Sequence, residues 1–95
     1  MQISSSSNSI TIVGNIKTVS DFQEIKSSID SIISEHKNIT LNIVDSLSIT
    51  SSVIGYFNKI VLKDQINLNM NIGNQKLFEL INDLNLTTTF KAKKA

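Results

Sequence analysis

From Val19 onward the apolar residues first keep a helical rhythm. Val19, Phe22, Ile25, Ile29, Ile32 and Ile33 follow one another at three, three, four, three and one residues, which places them on one stripe of a helix. Ser20 with Gln23 offers a capping box at its start, and Thr18 offers a cap one turn earlier. The rhythm then changes to alternation. In "NITLNIV", Ile39, Leu41 and Ile43 point one way and Thr40 and Asn42 the other, the pattern of a strand. After the short stretch "DSLSI" the helical spacing returns with Val53, Ile54, Phe57, Ile60 and Val61, predicting a second helix from about Ser51 to Leu62. "INLNMNIGN" alternates again, setting Ile66, Leu68, Met70 and Ile72 against Asn67, Asn69 and Asn71. Asn74 is placed to cap a third helix that carries Leu77, Phe78, Leu80, Ile81 and Leu84. At the ends of the chain, "MQIS" and "SITIVGNI" read as strands joined by a serine turn, and "TTTFKA" as a closing β-prone run.

The predicted order is β-β-α-β-α-β-α-β. Strands alternating with helices imply an α/β fold with parallel crossovers, here a mixed sheet of four to five strands and about three helices. The asparagine-lined strand faces leave one side of that sheet polar, so the helices are expected to pack mainly on the other. Ninety-five residues suffice for one such domain, assigned to residues 1–90, with "KAKKA" at 91–95 expected as a solvated lysine-rich tail.

Composition narrows the functions open to this fold. Nine lysines oppose eight acids and arginine is absent, so neither a basic field nor bidentate guanidinium groups favour nucleic acid as a partner. With no cysteine there are no disulfides, thiolate metal sites or thiol nucleophiles, which suits a reducing compartment. Neither an export signal nor an apolar run of bilayer length is present, and a cytoplasmic location without membrane insertion is expected. Catalytic groups are scarce as well. His36 is the only histidine and sits at the predicted end of the first helix, without the second histidine or carboxylates that a metal site needs. The three glycines stand alone and build no phosphate-cradling loop, so no cofactor is expected. Ser51 and Ser52 have no base near them in sequence, and the chain is expected not to be an enzyme.

The start of the second helix is the remaining candidate. Thr50, Ser51 and Ser52 fall where backbone N–H groups lack helical partners, and a hydroxyl there caps the helix for about 1 kcal/mol. The same N–H groups and the positive dipole end also accommodate an anion, including a phosphate carried by a serine. If Val53, Phe57, Ile60 and Val61 face the sheet, Ser52, Tyr56, Lys59 and Lys63 line the outer side as a partner surface, with Tyr56 its aromatic anchor.

The stretch "LNIVDSLSIT" with "SSVIG", residues 41–55, resembles the strand and "SSGLG" helix start of the STAS domain, found in sulfate transporter tails and bacterial anti-sigma factor antagonists. Leu41, Ile43, Ile49, Ser51, Ser52, Ile54 and Gly55 fall on like positions. "GNIKT" stands in the place of the family's "GELDL", and "NQKLFELINDLNLTTTF" is similar to its closing helix. The resemblance implies a non-enzymatic partner-switching regulator. It places the phosphorylated serine at Ser51 and implies as partners an anti-sigma factor that is also a serine kinase, together with a phosphatase. Asn15, Lys17, Asn42 and Thr50 stand where the family pattern carries acids, and Val53 replaces a glycine. These departures keep open a second expectation: a constitutive subunit that docks on a transporter ATPase or another scaffold without a covalent switch.

Overall fold

In the computed structural model, which describes residues 1–95, β1 (Gln2–Ser6) and β2 (Ser9–Val13) form a hairpin. Its turn is Ser7–Asn8, with Ser7 at φ 56, so serines 4–6 belong to the first strand rather than to the loop. Gly14 at φ 96 ends β2 two residues before Ile16, earlier than alternation alone suggests. The chain continues through α1 (Val19–Ile33), β3 (Asn38–Ile43), α2 (Ser51–Leu62), β4 (Asn67–Ile72), α3 (Gln75–Asp83), α4 (Thr87–Phe90) and β5 (Ala92–Lys94). The five strands lie side by side in chain order, with β1 antiparallel to β2 and the remaining pairs parallel. This is the α/β architecture with a mixed sheet that the alternating rhythms imply.

Alternation sorts the two faces of the sheet. Ile10 and Ile12 of β2, Ile39, Leu41 and Ile43 of β3, and Leu68, Met70 and Ile72 of β4 are all buried on one face. Ile25, Ile29, Val53, Phe57, Ile60, Leu77 and Ile81 of the helices join the same apolar cluster, and each buried aliphatic side chain contributes about 1.5–3 kcal/mol. The other face carries no helix. There the in-register parallel strands stack amides: Asn67 Nδ2 donates to Asn38 Oδ1 at 2.6 Å and Asn71 Nδ2 to Asn42 Oδ1 at 2.9 Å. A parallel sheet usually needs apolar cover on both faces. Here side-chain amide hydrogen bonds stand where a second helical layer would pack.

Three expectations change. The cap of α1 is Thr18, whose Oγ1 accepts from the Asp21 N–H while the Asp21 carboxylate accepts from the Thr18 N–H; the Ser20–Gln23 box does not form. Starting the helix there leaves Val19 73% exposed, off the apolar stripe. "TTTFKA" is not a continuous strand, because Thr87–Phe90 winds into one helical turn that buries Phe90 edge-on against Phe57, ring centroids 5.9 Å apart. Lys91 at φ 48 then reverses the backbone, and residues 92–94 of the expected solvated tail pair with β4 as an edge strand. Ala92 makes this possible: it is small enough to lie buried beside Met70, while Lys93 and Lys94 stay exposed. No helix is long and apolar enough to cross a membrane.

Candidate functional site

The parallel strands β2, β3 and β4 end on one side of the sheet, and the loops leaving them set the position of the α2 start. Ser46, fully buried, donates its hydroxyl to the Gly14 carbonyl at 2.6 Å, and the Leu47 N–H donates to Asn15 Oδ1 at 2.8 Å. These two bonds tie the β3–α2 loop to the β2–α1 loop. On the other side the Gly73 N–H donates to the Ile43 carbonyl at 2.8 Å, and a Cβ on Gly73 would stand only 3.0 Å from the Val44 carbonyl oxygen. The bare backbone of Gly73 is thus what lets the β4–α3 loop lie against the β3–α2 loop. Ser46 and Asn15 are site-building residues that pattern reading does not assign: Ser46 lies in a loop without periodicity, and Asn15 falls in the run read as a strand, where only the resemblance singles it out.

At the helix start, Thr50 is the N-cap. Its Oγ1 accepts from the Val53 N–H at 3.3 Å, and its carbonyl accepts the first helical bond from the Ile54 N–H at 3.1 Å. The Ser51 and Ser52 N–H groups lie within the first helical turn, ahead of those bonded donors. Both serine side chains are exposed. In the neighbouring loop Val44 and Leu47, 48% and 55% exposed, flank the exposed Asp45. The first turn holds no acidic residue.

Of the predicted partner surface, Ser52, Lys59 and Lys63 are exposed as expected. Tyr56 is not. Its residual exposure is 5%, and its ring packs edge-on to Phe22 with centroids 6.3 Å apart. The phenol donates to Asp30 Oδ1 at 2.5 Å, and Lys26 Nζ donates to the other carboxylate oxygen at 2.8 Å. Tyr56 therefore locks α2 to α1 instead of facing a partner. Burial, reinforced by the bond to Asp30, pushes the phenol well above its ordinary pKa. Burial pushes Asp30 upward too, but the bonds from Lys26 and Tyr56 outweigh it and leave the carboxyl below its usual value. Gly55, one residue earlier, takes the outward position, so the exposed stripe is Ser52, Gly55, Lys59 and Leu62, with Lys63 beside it. Lys59 also pairs with Asp64 at 3.2 Å.

His36 is half-buried beyond the end of α1, where its backbone N–H donates to the Ile32 carbonyl at 3.0 Å. Among the positions where the resembling pattern carries acids, Asn15 holds the Leu47 N–H and Thr50 caps α2. Asn42 belongs to the amide ladder of the open face, and Lys17 is exposed. Comparison with protein-family models, with curated proteins and with solved structures gives no match.

Proposed function

We propose that this chain is a cytoplasmic, non-enzymatic protein-interaction domain of the STAS type, acting by partner switching and controlled by phosphorylation of Ser51. In the unmodified form the α2 start and the adjoining Val44–Leu47 loop bind a regulatory protein, such as an anti-sigma factor with serine-kinase activity. A phosphatase restores that form. The observation that supports this reading is the exposed hydroxyl of Ser51 in a first helical turn without acids, on a rim held in place by Ser46, Asn15 and Gly73. A phosphate there brings about −1.5 to −2 charges, which the helix end tolerates. A partner that covers a neutral hydroxyl must instead desolvate a dianion.

Incubation with lysate of the native cell and ATP, followed by intact-mass measurement, tests the switch. One added phosphate, absent from Ser51→Ala, is the expected result; no added mass, or addition on another residue, removes Ser51 from the mechanism. The second reading is a constitutive subunit docked on a transporter ATPase or another scaffold. It is favoured by one specific observation: Asn15 and Thr50, at positions acidic in the resembling pattern, are committed here to loop and cap hydrogen bonds. Under that reading Ser51→Asp leaves binding to an isolated partner unchanged.

A further inference from the structure

The two edges of the sheet are unlike. β5 has three residues, two of them the exposed lysines Lys93 and Lys94, and Lys91 immediately precedes the strand. A short, charged edge resists pairing with another strand. β1 is longer and reads QISSS, with no lysine, no proline and no net charge. Its outer side is open. The Thr40 N–H donates to the Asn8 carbonyl at 3.0 Å and the Val44 N–H to the Ile12 carbonyl at 2.8 Å, so the even-numbered residues of β2 turn their backbone toward β3. Ser9, Thr11 and Val13 therefore turn theirs toward β1, where they meet Ser6, Ser4 and Gln2. The N–H and C=O groups of Ile3 and Ser5 are left pointing away from the sheet.

We infer that β1 is a self-association edge, pairing antiparallel with β1 of a second copy of this chain about a two-fold axis. Charge selects the occupant. About a two-fold axis only the central residue meets its own copy and every other residue meets a different residue of β1, so an edge of lysines would oppose like charges throughout whereas each pairing within QISSS is neutral. Head-to-tail pairing of β1 with β5 would instead build an open filament, and the lysines of β5 guard against it. Hydrogen-bond direction then narrows the register. Outward groups can pair only with outward groups, and of the registers this allows, Ile3 opposite Ser5 is the one that uses all five residues of β1, with Ser4 opposite Ser4 of the second copy on the axis. The dimer is one continuous sheet, its polar face uncovered and its helices all on one side. Glu24 of α1 shares a shallow depression with Met1, Gln2, Ile3 and Ser4 beside this edge, without belonging to the strand. Five residues per copy bury far less than a standard interface, so the association is weak.

Sedimentation equilibrium from about 10 µM to about 1 mM tests this on the wild-type chain, which is expected to pass from monomer toward dimer mass. Ser5→Pro removes an outward N–H without touching the β1–β2 ladder, and Ser4→Lys sets two ammonium groups face to face on the axis. Each is expected to weaken association at least tenfold with an unchanged circular dichroism spectrum. Mixing Ser4→Lys with Ser4→Asp is expected to restore dimers that neither forms alone, whereas Thr88→Lys, on α4, behaves as wild type. A wild-type chain that stays monomeric at the highest concentration overturns the proposal. So does dimerisation that survives both edge variants, or a Lys–Asp mixture no tighter than its components. Should one edge variant fail to fold, the wild-type titration and the other variant decide.

Discussion

The two sides of α2 arise from the same twelve residues and behave in opposite ways. On the side facing α1 and the sheet, Val53, Tyr56, Phe57 and Ile60 are buried, and the one polar atom among their side chains is bonded to Asp30. On the other side Ser51, Ser52, Gly55 and Lys59 lie exposed. The packed side carries the stability of the helix, and the open side can change its chemistry without disturbing the core. A site for reversible modification needs that separation, because a charge added to a packed surface destabilises the domain as well as the complex.

The sharpest way to break the comparison is to damage the packed side. Phe57 is fully buried against Phe90, so Phe57→Ala is expected to cost about 3–5 kcal/mol, read as a lowered urea midpoint, while an equivalent truncation on the open side costs almost nothing. A loss below about 1 kcal/mol would show that α2 is not anchored as described.

Next comes the lock between the helices. Tyr56→Phe keeps the ring contact and removes the bond to Asp30; because that carboxylate is partly exposed, 40% of its side chain, the loss is expected to be about 1 kcal/mol. The pH dependence carries a clearer signature. The folded protein holds the phenol protonated beyond the pH, about 10, at which a free tyrosine ionises, so its contribution is complete below that value and declines as the pH rises through it. Stability of the wild type should therefore fall more steeply above pH ~10 than that of Tyr56→Phe. The depressed Asp30 carboxyl acts at the other extreme: its contribution is present above the ordinary carboxylate range and is lost as the pH falls through and below it. Alkaline denaturation curves that superimpose for the two proteins would contradict the buried, bonded phenol.

Tyr56 also marks where sequence reading reaches its limit. Periodicity identified α2 from Ser51 to Leu62, the Asn74 cap of α3 and the inward faces of β3 and β4, because those features depend on spacing and on residues with one physical preference. A tyrosine has two. Its ring favours burial and its hydroxyl favours water or a partner, and the partner, Asp30, lies 26 residues away on another helix. Burial of Tyr56 thus depended on a long-range pairing that no local pattern records. The same holds for Ser46, whose acceptor is 32 residues distant, and for "TTTFKA", where burial of Phe90 overrode the β preference of three threonines. The exposed Ser51 and Ser52 were legible, since a helix start directly after a loop presents its first residues to solvent.

Smaller effects sharpen the contrast on the open side. Thr50→Ala removes the acceptor for the Val53 N–H and is expected to cost about 1 kcal/mol, a local loss at the boundary between the two sides. Gly55→Ala should act in the opposite direction. A Cβ at Gly55 meets nothing within 4 Å and the backbone there is helical, so the fold gains about 0.5–1 kcal/mol from a better helix former. Thermal unfolding of the two variants should bracket the wild type.

The smallest change in stability is expected at the residue with the largest proposed functional weight. Ser51→Asp places a negative charge in the first turn of α2, near the positive end of the helix dipole and on a side chain already in solvent. The fold should therefore be slightly stabilised, by about 0.3–1 kcal/mol at low salt and less at physiological ionic strength. Binding responds to different physics. A docked partner must strip water from the carboxylate without an arginine on this chain to receive it, so affinity for an isolated partner is expected to drop at least tenfold while Tm holds or rises slightly. Calorimetric melting beside a binding titration separates the two quantities. A parallel fall in both would mean that the open side is coupled to the core after all, and that the exposed serine is part of the packing.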